Sequence, residues 1–287
     1  MKTFSQFHNE INGYQDVKTT VEAEEKIAVV GIHQLIKESQ YLDNYNRFLE
    51  MIFQRFVSFV NYSSFNYLSN QQNKKKKKML IILGGNKGLV GGLWNQLVYY
   101  SISQFDHYQK IIIYGQKINQ KINEHINYNN KNNILFSSAP LPSLNNWGLF
   151  QNDLIQLLNQ KTFQVDIAWP KMITLSYFKP TIKKIIPIET KSNLASNANY
   201  PNGFPIFSPD PKTIFQQLLT QYFLNITYQV FVETKLAEAL SRATSMEKAK
   251  EEVNKLIKNL THNFLTERQK VLTKNQIEVF VAHQVTR

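Results

Sequence analysis

The last quarter of this sequence, residues 211–287, constrains the fold more than any other stretch. After the turn-like segment Ser208-Pro209-Asp210-Pro211 it contains no further Gly or Pro. We therefore predict one helix of roughly 70 residues, about 100 Å long. Its apolar residues recur at steps of three and four, the heptad pattern of a coiled coil, at Leu236, Leu240, Ala243, Met246, Val253, Ile257, Leu260, Phe264 and Val271. Such a helix cannot bury its apolar seam alone and needs a partner of similar length.

The N-terminal segment supplies that partner. Residues 3–68 contain no Pro and only two glycines, Gly13 and Gly31. The segment predicts a second long helix, loosened near its glycines because Gly costs up to about 1 kcal/mol relative to Ala inside a helix. Apolar residues again repeat by threes and fours, at Val21, Ala28, Ile32, Leu35, Leu42, Leu49, Ile52, Phe56 and Phe59. We expect residues 1–68 and 212–287 to form a long antiparallel two-helix coiled coil.

Residues 69–211 predict a Rossmann-like α/β head domain between the two helices. Residues 79–83 are wholly apolar, as in a buried parallel strand, and a glycine-rich loop and a helix follow them. Alternation of strands and helices favours a layered α/β fold. The other predicted elements are a helix at 93–105, a strand at 110–114, a partial loop at 119–133, a short strand at 134–136, a helix at 151–160, strands at 163–169 and 171–178 split at Pro170, and a strand at 181–188.

Charge and composition indicate a cytoplasmic protein with an anionic or acidic partner. The formal net charge is +12, and there is no cysteine to form disulfides or thiolate metal sites. Neither a signal peptide nor an apolar run of about 20 residues, which a membrane span requires, is present. Five consecutive lysines at 74–78 are interpreted as a solvated linker, whose role stays open. A basic coiled-coil adaptor for nucleic acid remains an alternative, although we expect no nucleic-acid partner because basic and aromatic residues are not interleaved.

The glycine-rich loop after the first strand has two interpretations. A phosphate-binding loop requires Gly-Lys followed by Ser or Thr, but Lys87 is followed by Gly88, and the dinucleotide pattern Gly-x-Gly-x-x-Gly is absent. We favour a structural role for Gly88, Gly91 and Gly92, which permit close packing of helix on strand. The six histidines have no metal-ligand spacing. We predict no catalytic site, cofactor or metal on this chain, and an enzyme that uses the loop is the alternative.

Two motifs of the head and the turn resemble a known family. Gly88-Leu89-Val90-Gly91-Gly92-Leu93 is similar to the Gly-Leu-Cys-Gly-Gly-Leu motif of the gamma subunit, or central stalk, of rotary F-type ATPases, with Val90 in place of Cys. Pro209-Asp210-Pro211-Lys212 resembles that family's Glu-Pro-x-Pro turn, with Ser208 where Glu is usual. The resemblance covers nearly the whole chain.

The C-terminal helix carries the most specific part of this resemblance. Glu238, Arg242 and Met246 have the spacing of the family's Ser-Glu-x-x-Ala-Arg-Met-x-Ala-Met segment. Arg268, Gln269, Thr273 and Glu278 match its closing Arg-Gln-x-x-Ile-Thr-x-Glu-x-x-Glu-Ile motif. The resemblance implies that the first three serve shaft packing or coupling. It implies that the last four contact a ring of ATPase subunits.

The chain also departs from the family pattern. Where the family has a basic, Met-rich stretch in its N-terminal helix, residues 19–28 keep only scattered matches, and Glu24 stands at a methionine position. The Asn usual before Arg268-Gln269 is missing, and the last residues are not small and apolar. Wall-less bacteria carry additional F-type-like ATPases, some tied to gliding machinery, and the Asn- and Lys-rich composition suits such a source. The sequence leaves open which kind of ATPase the chain serves.

The resemblance implies a non-catalytic rotor in a hexameric ring of alpha- and beta-like subunits. ATP, ADP and Mg would be held by those partner subunits, and the rotor would couple ATP hydrolysis or synthesis, with ion transport, to rotation. A further stalk or adaptor subunit is expected at the head. The complex would lie at the inner face of the cell membrane, without insertion of this chain.

Overall fold

The computed structural model describes residues 4–59, 77–125, 135–159, 163–175, 177–186 and 208–285. This part of the chain contains six α-helices and five strands. The helices are α1 (Phe4–Val30), α2 (Ile32–Phe59), α3 (Leu93–Ile102), α4 (Gln116–His125), α5 (Trp147–Asn159) and α6 (Pro211–Val285). The strands are β1 (Lys77–Leu83), β2 (Lys110–Tyr114), β3 (Leu135–Ala139), β4 (Phe163–Thr174) and β5 (Tyr177–Ile186).

The chain divides into two compact units. The first unit consists of residues 1–30 and 242–287, and the second consists of residues 31–241. Helix α6 contributes residues to both units. The division of the sequence at 68/69 and 211/212 stays a prediction. Residues 60–76, which include the first boundary, lie outside the described residues, and so do residues 187–207.

In the first unit, α1 pairs with the C-terminal part of α6. The ring of Phe4 stacks on that of Phe264 with 4.5 Å between their centroids. Near the other end of α1, Lys250 Nζ donates a hydrogen bond to Glu25 Oε2 at 3.0 Å. Since an early residue of α1 meets a late residue of α6, the two helices run antiparallel, as predicted. The most buried side chains of this seam belong to Ala28, Met246 and Val253.

The predicted seam extends too far along α6. Val271 was expected to face the partner helix, but 49% of its surface is exposed. The first described residue of α1, Phe4, lies opposite Phe264, and residues 268–284 of α6 are all exposed. The heptad pattern continues past the point where the described part of α1 can cover it.

In the second unit, α2 pairs with residues 211–241 of α6. The ring of Phe53 lies 5.7 Å from that of Phe215, and Asn46 Nδ2 donates a hydrogen bond to Gln229 Oε1 at 2.7 Å. This pair is also antiparallel. The single helix expected over residues 3–68 is two helices, because the chain turns at Gly31, whereas Gly13 lies inside α1 without a break. Glycine has no Cβ and therefore loses more conformational freedom in a helix than other residues do, which makes it a favourable position for a turn. Residues 60–68 lie outside the described part.

The head contains a five-stranded sheet in the order β3-β2-β1-β4-β5. The first four strands are parallel, and β5 is antiparallel to β4. Central strand β1 is completely buried from Met79 to Leu83, which confirms the prediction from its apolar run. Helices α3 and α4 pack together against the sheet, with Leu97 and Ile118 fully buried in the core. The mixed α/β sheet between long terminal helices is the predicted fold class.

Strand β4 corrects the prediction that Pro170 splits two strands. It continues through Pro170, which lies opposite Pro180 of β5. The strand expected at 171–178 is divided between the end of β4 at Thr174 and the start of β5 at Tyr177. The strand expected at 181–188 corresponds to the later part of β5, up to Ile186. The register with β1 ends at Ala168. Beyond it β4 has a neighbour on one side only, and an edge position tolerates a residue without an N–H.

Two helices of the head differ from the prediction. Helix α4 covers residues up to His125 of the stretch 119–133 that was expected to be partly loop, because Ile118 and Ile122 lie one turn apart and are both fully buried. Helix α3 ends at Ile102 rather than at residue 105. A short 3-10 turn then places the Phe105 ring in the core.

Candidate functional site

The C-terminal end of α6 exposes both polar and apolar side chains. Arg268, Gln269, Thr273 and Glu278, the predicted ring contacts, are all exposed on this helix. Of these, Thr273 donates its hydroxyl to the Gln269 carbonyl at 2.9 Å. Large apolar residues are exposed on the same segment at Leu265, Val271, Leu272, Ile277, Val279, Phe280 and Val281. A helix that exposes apolar groups around its circumference is typical of a segment that other chains surround.

The predicted coupling residues are distributed over both units. Glu238 belongs to the second unit and is 6% exposed, and Met246 belongs to the first unit and is equally buried. Arg242 is half-buried at the start of the first unit's part of α6. The burial of Glu238 and Met246 fits a packing role.

The glycine-rich loop is packed against side chains at its start. A Cβ at Gly84 would lie 2.7 Å from the Ile118 side chain, and one at Gly85 would lie 2.3 Å from the Trp94 ring. The Gly85 position also lies 3.1 Å from the carboxyl carbon of Glu238 on α6. A carboxylate and an indole ring therefore occupy the space next to this loop, and a carboxylate repels the phosphates that such loops bind elsewhere.

The other motif glycines have different surroundings. Gly91 has φ +57°, in the left-handed region that glycine adopts without strain. Gly92 directly precedes α3, and Gly88 is half-buried with Lys117 Cε 3.7 Å from a Cβ position. These glycines lie in the turn from β1 into α3, and their structural role stays a prediction.

Asn86 joins three loops at the carboxyl edge of the sheet. Its Oδ1 accepts hydrogen bonds from the backbone N–H of Gln116 at 3.1 Å and of Leu141 at 2.9 Å. Its Nδ2 donates to the Leu141 carbonyl at 2.7 Å. The segments after β1, β2 and β3 are thereby held together by one side chain. The sequence analysis missed this residue, whose only signal is an amide side chain directly after Gly-Gly at a strand end.

A buried polar cluster links β4, α2 and α6 in the second unit. Trp169 Nε1 donates to Glu233 Oε2 at 2.7 Å, and Gln229 Nε2 donates to Glu233 Oε1 at 3.1 Å. Gln229 Nε2 also donates to Asp43 Oδ1, and Gln229 Oε1 accepts from Asn46. The sequence analysis missed this cluster. Its signal is a carboxylate, Glu233, directly after the apolar run at residues 230–232.

The surroundings of Glu233 shift the pKa of its carboxyl group. Burial raises the pKa of Glu233 above its ordinary value, the hydrogen bond from Trp169 opposes this increase, and the negative charge of Asp43 adds to it. The hydrogen bond from Gln229 and the positive charge of Lys171 also favour the ionised form. Both oxygens of the Glu233 carboxylate accept hydrogen bonds. The cluster therefore supplies donors to a buried acidic group between the head and the paired helices.

A second buried pair lies inside the head. Tyr108 donates its hydroxyl to Asp166 Oδ2 at 2.8 Å, and both side chains are less than 9% exposed. Burial, followed by the hydrogen bond to Asp166, raises the pKa of the Tyr108 hydroxyl well above its ordinary value. The second carboxylate oxygen, Asp166 Oδ1, is also buried. The pair ties the turn before β2 to strand β4.

Within the described residues, no group of three or more His, Asp or Glu side chains could hold a metal ion. Across those same residues, no helix combines the length and the apolar character required to cross a membrane.

Antiparallel terminal helices, an α/β domain inserted between them in the sequence, and an exposed helix end define a coiled-coil stalk protein. A protein-family model described as ATP synthase matches residues 3–283. The chain belongs to this family, as a divergent gamma-type subunit of the central stalk.

Relatives and solved structures agree with this assignment. The ATP synthase gamma chain of Mycoplasmopsis pulmonis is 24% identical over 285 residues, which cover 97% of this chain and 98% of that protein. The gamma chain of Mycoplasma mobile is 30% identical over 115 residues, 40% of each chain. A chain of the Euglena gracilis mitochondrial ATP synthase superposes with a TM-score of 0.69 at 12% identity, covering 99% of this chain and 94% of that one. A chain from the central stalk and c-ring of the Tetrahymena thermophila enzyme gives a TM-score of 0.57 at 14% identity, covering 80% and 99%.

Proposed function

We propose that this chain is the non-catalytic rotor of an F-type or F-type-like ATPase, turning within a ring of alpha- and beta-like subunits. The observation that carries the proposal is the end of α6. Residues 268–284 of this helix are all exposed, in a chain that belongs to a family of central-stalk subunits. A helix end of this kind gains its apolar burial from surrounding subunits. Rotation then couples ATP hydrolysis or synthesis in the ring to the remainder of the complex.

A rotor must offer a different face to each ring subunit. A ligand with equal affinity for every state of its partner shifts no equilibrium. Helix α6 meets this condition, because Arg268 and Gln269 occupy one part of its circumference and apolar residues such as Val281 occupy others. The guanidinium of Arg268 offers donors in a planar fork suited to an acidic loop. One ring subunit at a time would receive this contact.

The chemistry is assigned to the partner subunits. ATP, ADP and Mg would be bound by the ring, and the glycine-rich loop would serve packing. The close approach of Glu238 and Trp94 to Gly85 supports this assignment. Saturable binding of ATP or ADP to the purified chain that is abolished by Gly88→Val would contradict it.

The test of the rotor function is a pair of double variants in the assembled complex. Arg268→Ala with Gln269→Ala should lower ATPase turnover about tenfold or more, because a charge-assisted hydrogen bond contributes about 1.5–3 kcal/mol. Lys258→Ala with Asn259→Ala is the matched control, since it also removes one cationic side chain and one carboxamide from exposed, consecutive positions of α6. Equal turnover in both variants and wild type would reduce Arg268 and Gln269 to solvated side chains.

The kind of ATPase is a finer proposal. We place the complex at the inner face of the cell membrane, with a further stalk subunit at the head of this chain, and without insertion of this chain. A specialised F-type-like ATPase that drives gliding or other surface machinery is the alternative to an ion-translocating ATP synthase. Copurification of the native complex distinguishes them, because only the latter would contain ion-channel subunits.

A further inference from the structure

Helix α2 carries two buried rows of side chains that repeat every seven residues. The first row is entirely apolar and consists of Leu35, Leu42, Leu49 and Phe56. The second row has two polar members in its middle and consists of Ile32, Ser39, Asn46 and Phe53. An apolar repeat of seven matches itself after a shift of seven residues, about 10 Å along the helix. Apolar burial alone therefore leaves open which of several registers α2 adopts on α6.

Asn46 removes this ambiguity through one hydrogen bond. It is 6% exposed, and its Nδ2 donates to Gln229 Oε1 at 2.7 Å. The amide of Gln229 is itself held in place, because its Nε2 donates to the carboxylates of Asp43 and Glu233. A carboxylate accepts hydrogen bonds and does not donate them when ionised, so Gln229 must turn its oxygen toward Asn46. Since Glu233 also accepts from Trp169 of β4, the hydrogen bonds relate α2 to the sheet as well as to α6.

A shift of α2 by one heptad would break this hydrogen bond in either direction. One shift would bring Phe53 to the level of Gln229, where a phenyl ring offers the amide oxygen no donor. The opposite shift would bring Asn46 to the place of Phe53, whose ring lies 5.7 Å from that of Phe215 and 6.2 Å from that of Tyr222. Both shifts leave buried amide groups without partners, which disfavours the shifted registers.

The remaining polar atom of Asn46 indicates that this residue serves specificity more than stability. Its Oδ1 is buried and accepts no hydrogen bond from the described residues. A buried polar atom without a partner lowers stability, and an apolar side chain of similar size would avoid this cost. In coiled coils, one polar residue at a seam position specifies the register and costs stability.

We propose that Asn46, held by Gln229, is the register-determining residue of the α2–α6 pair. It excludes the pairings that are shifted by one heptad, which the apolar rows would accept. Through Gln229, Glu233 and Trp169 it also fixes the level of α2 relative to strand β4. All of these residues belong to the second unit, and the inference does not depend on the proposed function.

The experiment uses pairs of introduced cysteines as reporters of the register. The full chain contains no cysteine, so each pair provides its only thiols. Phe56→Cys with Phe215→Cys reports the observed register, in which the two rings lie 6.2 Å apart. Leu49→Cys with Phe215→Cys, and Phe56→Cys with Tyr222→Cys, report the shifts by one heptad in the two directions. With Asn46 present, mild oxidation of the purified chain should give an intramolecular disulfide in the first reporter alone.

The decisive variant is Asn46→Leu, introduced into each reporter chain. The yield of disulfide in at least one of the two shifted reporters should rise about tenfold or more, because the penalty for separating Asn46 from Gln229 is removed. The melting temperature of Asn46→Leu without cysteines should be unchanged or higher, since the buried Oδ1 is lost. Asn44→Leu is the matched control, because it makes the same exchange at an exposed position of α2 and should leave all three reporters unaltered.

Three results would overturn the proposal. The first is an Asn46→Leu chain that forms only the disulfide of the observed register, since packing would then set the register. The second is an Asn46→Leu chain that melts at a lower temperature or does not fold, since Asn46 would then be a stabilising residue. The third is a shifted disulfide that forms equally in the chain with Asn46 or in the Asn44→Leu control.

Discussion

Replacing Trp169 by Phe should destabilise the attachment of the head to the paired helices. The indole N–H donates a hydrogen bond to the Glu233 carboxylate at 2.7 Å, beside the one from Gln229, and Glu233 is only 8% exposed. Phenylalanine keeps an aromatic ring in β4 but has no donor. The variant leaves Glu233 Oε2 without the indole hydrogen bond in a site where burial already disfavours the charge.

The size of the effect follows from the charge of the acceptor. A hydrogen bond to an ionised group contributes about 1.5–3 kcal/mol, against about 0.5–1.5 kcal/mol for one between neutral groups. The smaller ring adds a packing loss, because Trp169 is 4% exposed. We expect the free energy of unfolding of the second unit to fall by about 3 kcal/mol at neutral pH, with about 2 kcal/mol from the hydrogen bond.

Trp94→Phe is the matched control. Trp94 is 1% exposed, and its indole N–H donates to the Lys87 carbonyl at 3.0 Å, a neutral acceptor. The two variants therefore lose the same ring volume and one indole donor each. The difference between their destabilisations, about 1 kcal/mol, measures the contribution of the charge on Glu233.

The difference in destabilisation between Trp169→Phe and Trp94→Phe should depend on pH. Burial holds the pKa of Glu233 above its unfolded value, so its contribution favours folding in acid and is lost as pH rises through the folded pKa. The Trp169 hydrogen bond lowers this pKa, and its removal raises the pKa further. The stability deficit of Trp169→Phe relative to wild type should therefore grow as pH rises through the raised folded pKa of Glu233, whereas that of Trp94→Phe should stay constant.

The assay is urea unfolding followed by far-ultraviolet circular dichroism at several pH values. Hydrogen exchange of the β4 amides reports separately on the second unit. Equal deficits for the two tryptophan variants, both independent of pH, would refute the assignment of a buried charge to Glu233.

Two further predictions concern the head. Gly115→Ala should lower the free energy of unfolding by about 2 kcal/mol or more in thermal melts, since Gly115 has φ +127° and its Cβ would lie 2.6 Å from the Gly84 carbonyl oxygen. In the same melts Gly148→Ala should be neutral or slightly stabilising, because a Cβ at Gly148 would have nothing within 4 Å. Tyr108→Phe should cost about 2 kcal/mol in urea unfolding, because it removes the hydroxyl donor from the buried Asp166 carboxylate. A cost for Gly148→Ala equal to that for Gly115→Ala, or an unaltered stability for Tyr108→Phe, would contradict these explanations.

Much of the architecture could be predicted because its signals are local. Heptad spacing predicts a long helix at each end, and each needs a partner for its seam, so antiparallel pairing follows. An uninterrupted apolar run such as residues 79–83 predicts a strand covered on both faces. The family motifs around Gly88 and Arg268 add the expectation of a central-stalk subunit. Each of these inferences depends on residues close to one another in the chain.

Local rules failed where the neighbours of a residue decide the outcome. Proline is excluded from strands that are paired on both sides, but β4 passes beyond the end of β1 before it reaches Pro170. A heptad position predicts burial, but Val271 lies beyond the part of α6 that the described residues of α1 cover. In both cases the sequence pattern was correct, and the extent of the neighbouring element determined the result.

The sequence alone determined the two helical periodicities, the apolar central strand and the absence of a known phosphate-loop spacing. Only the tertiary structure decided which polar groups are paired. Trp169 and Glu233 lie 64 residues apart in the chain, and Asn86 joins Leu141 across 55 residues. Periodicity repeats every few residues and can be read directly, whereas a hydrogen bond between distant elements depends on the complete arrangement of the chain.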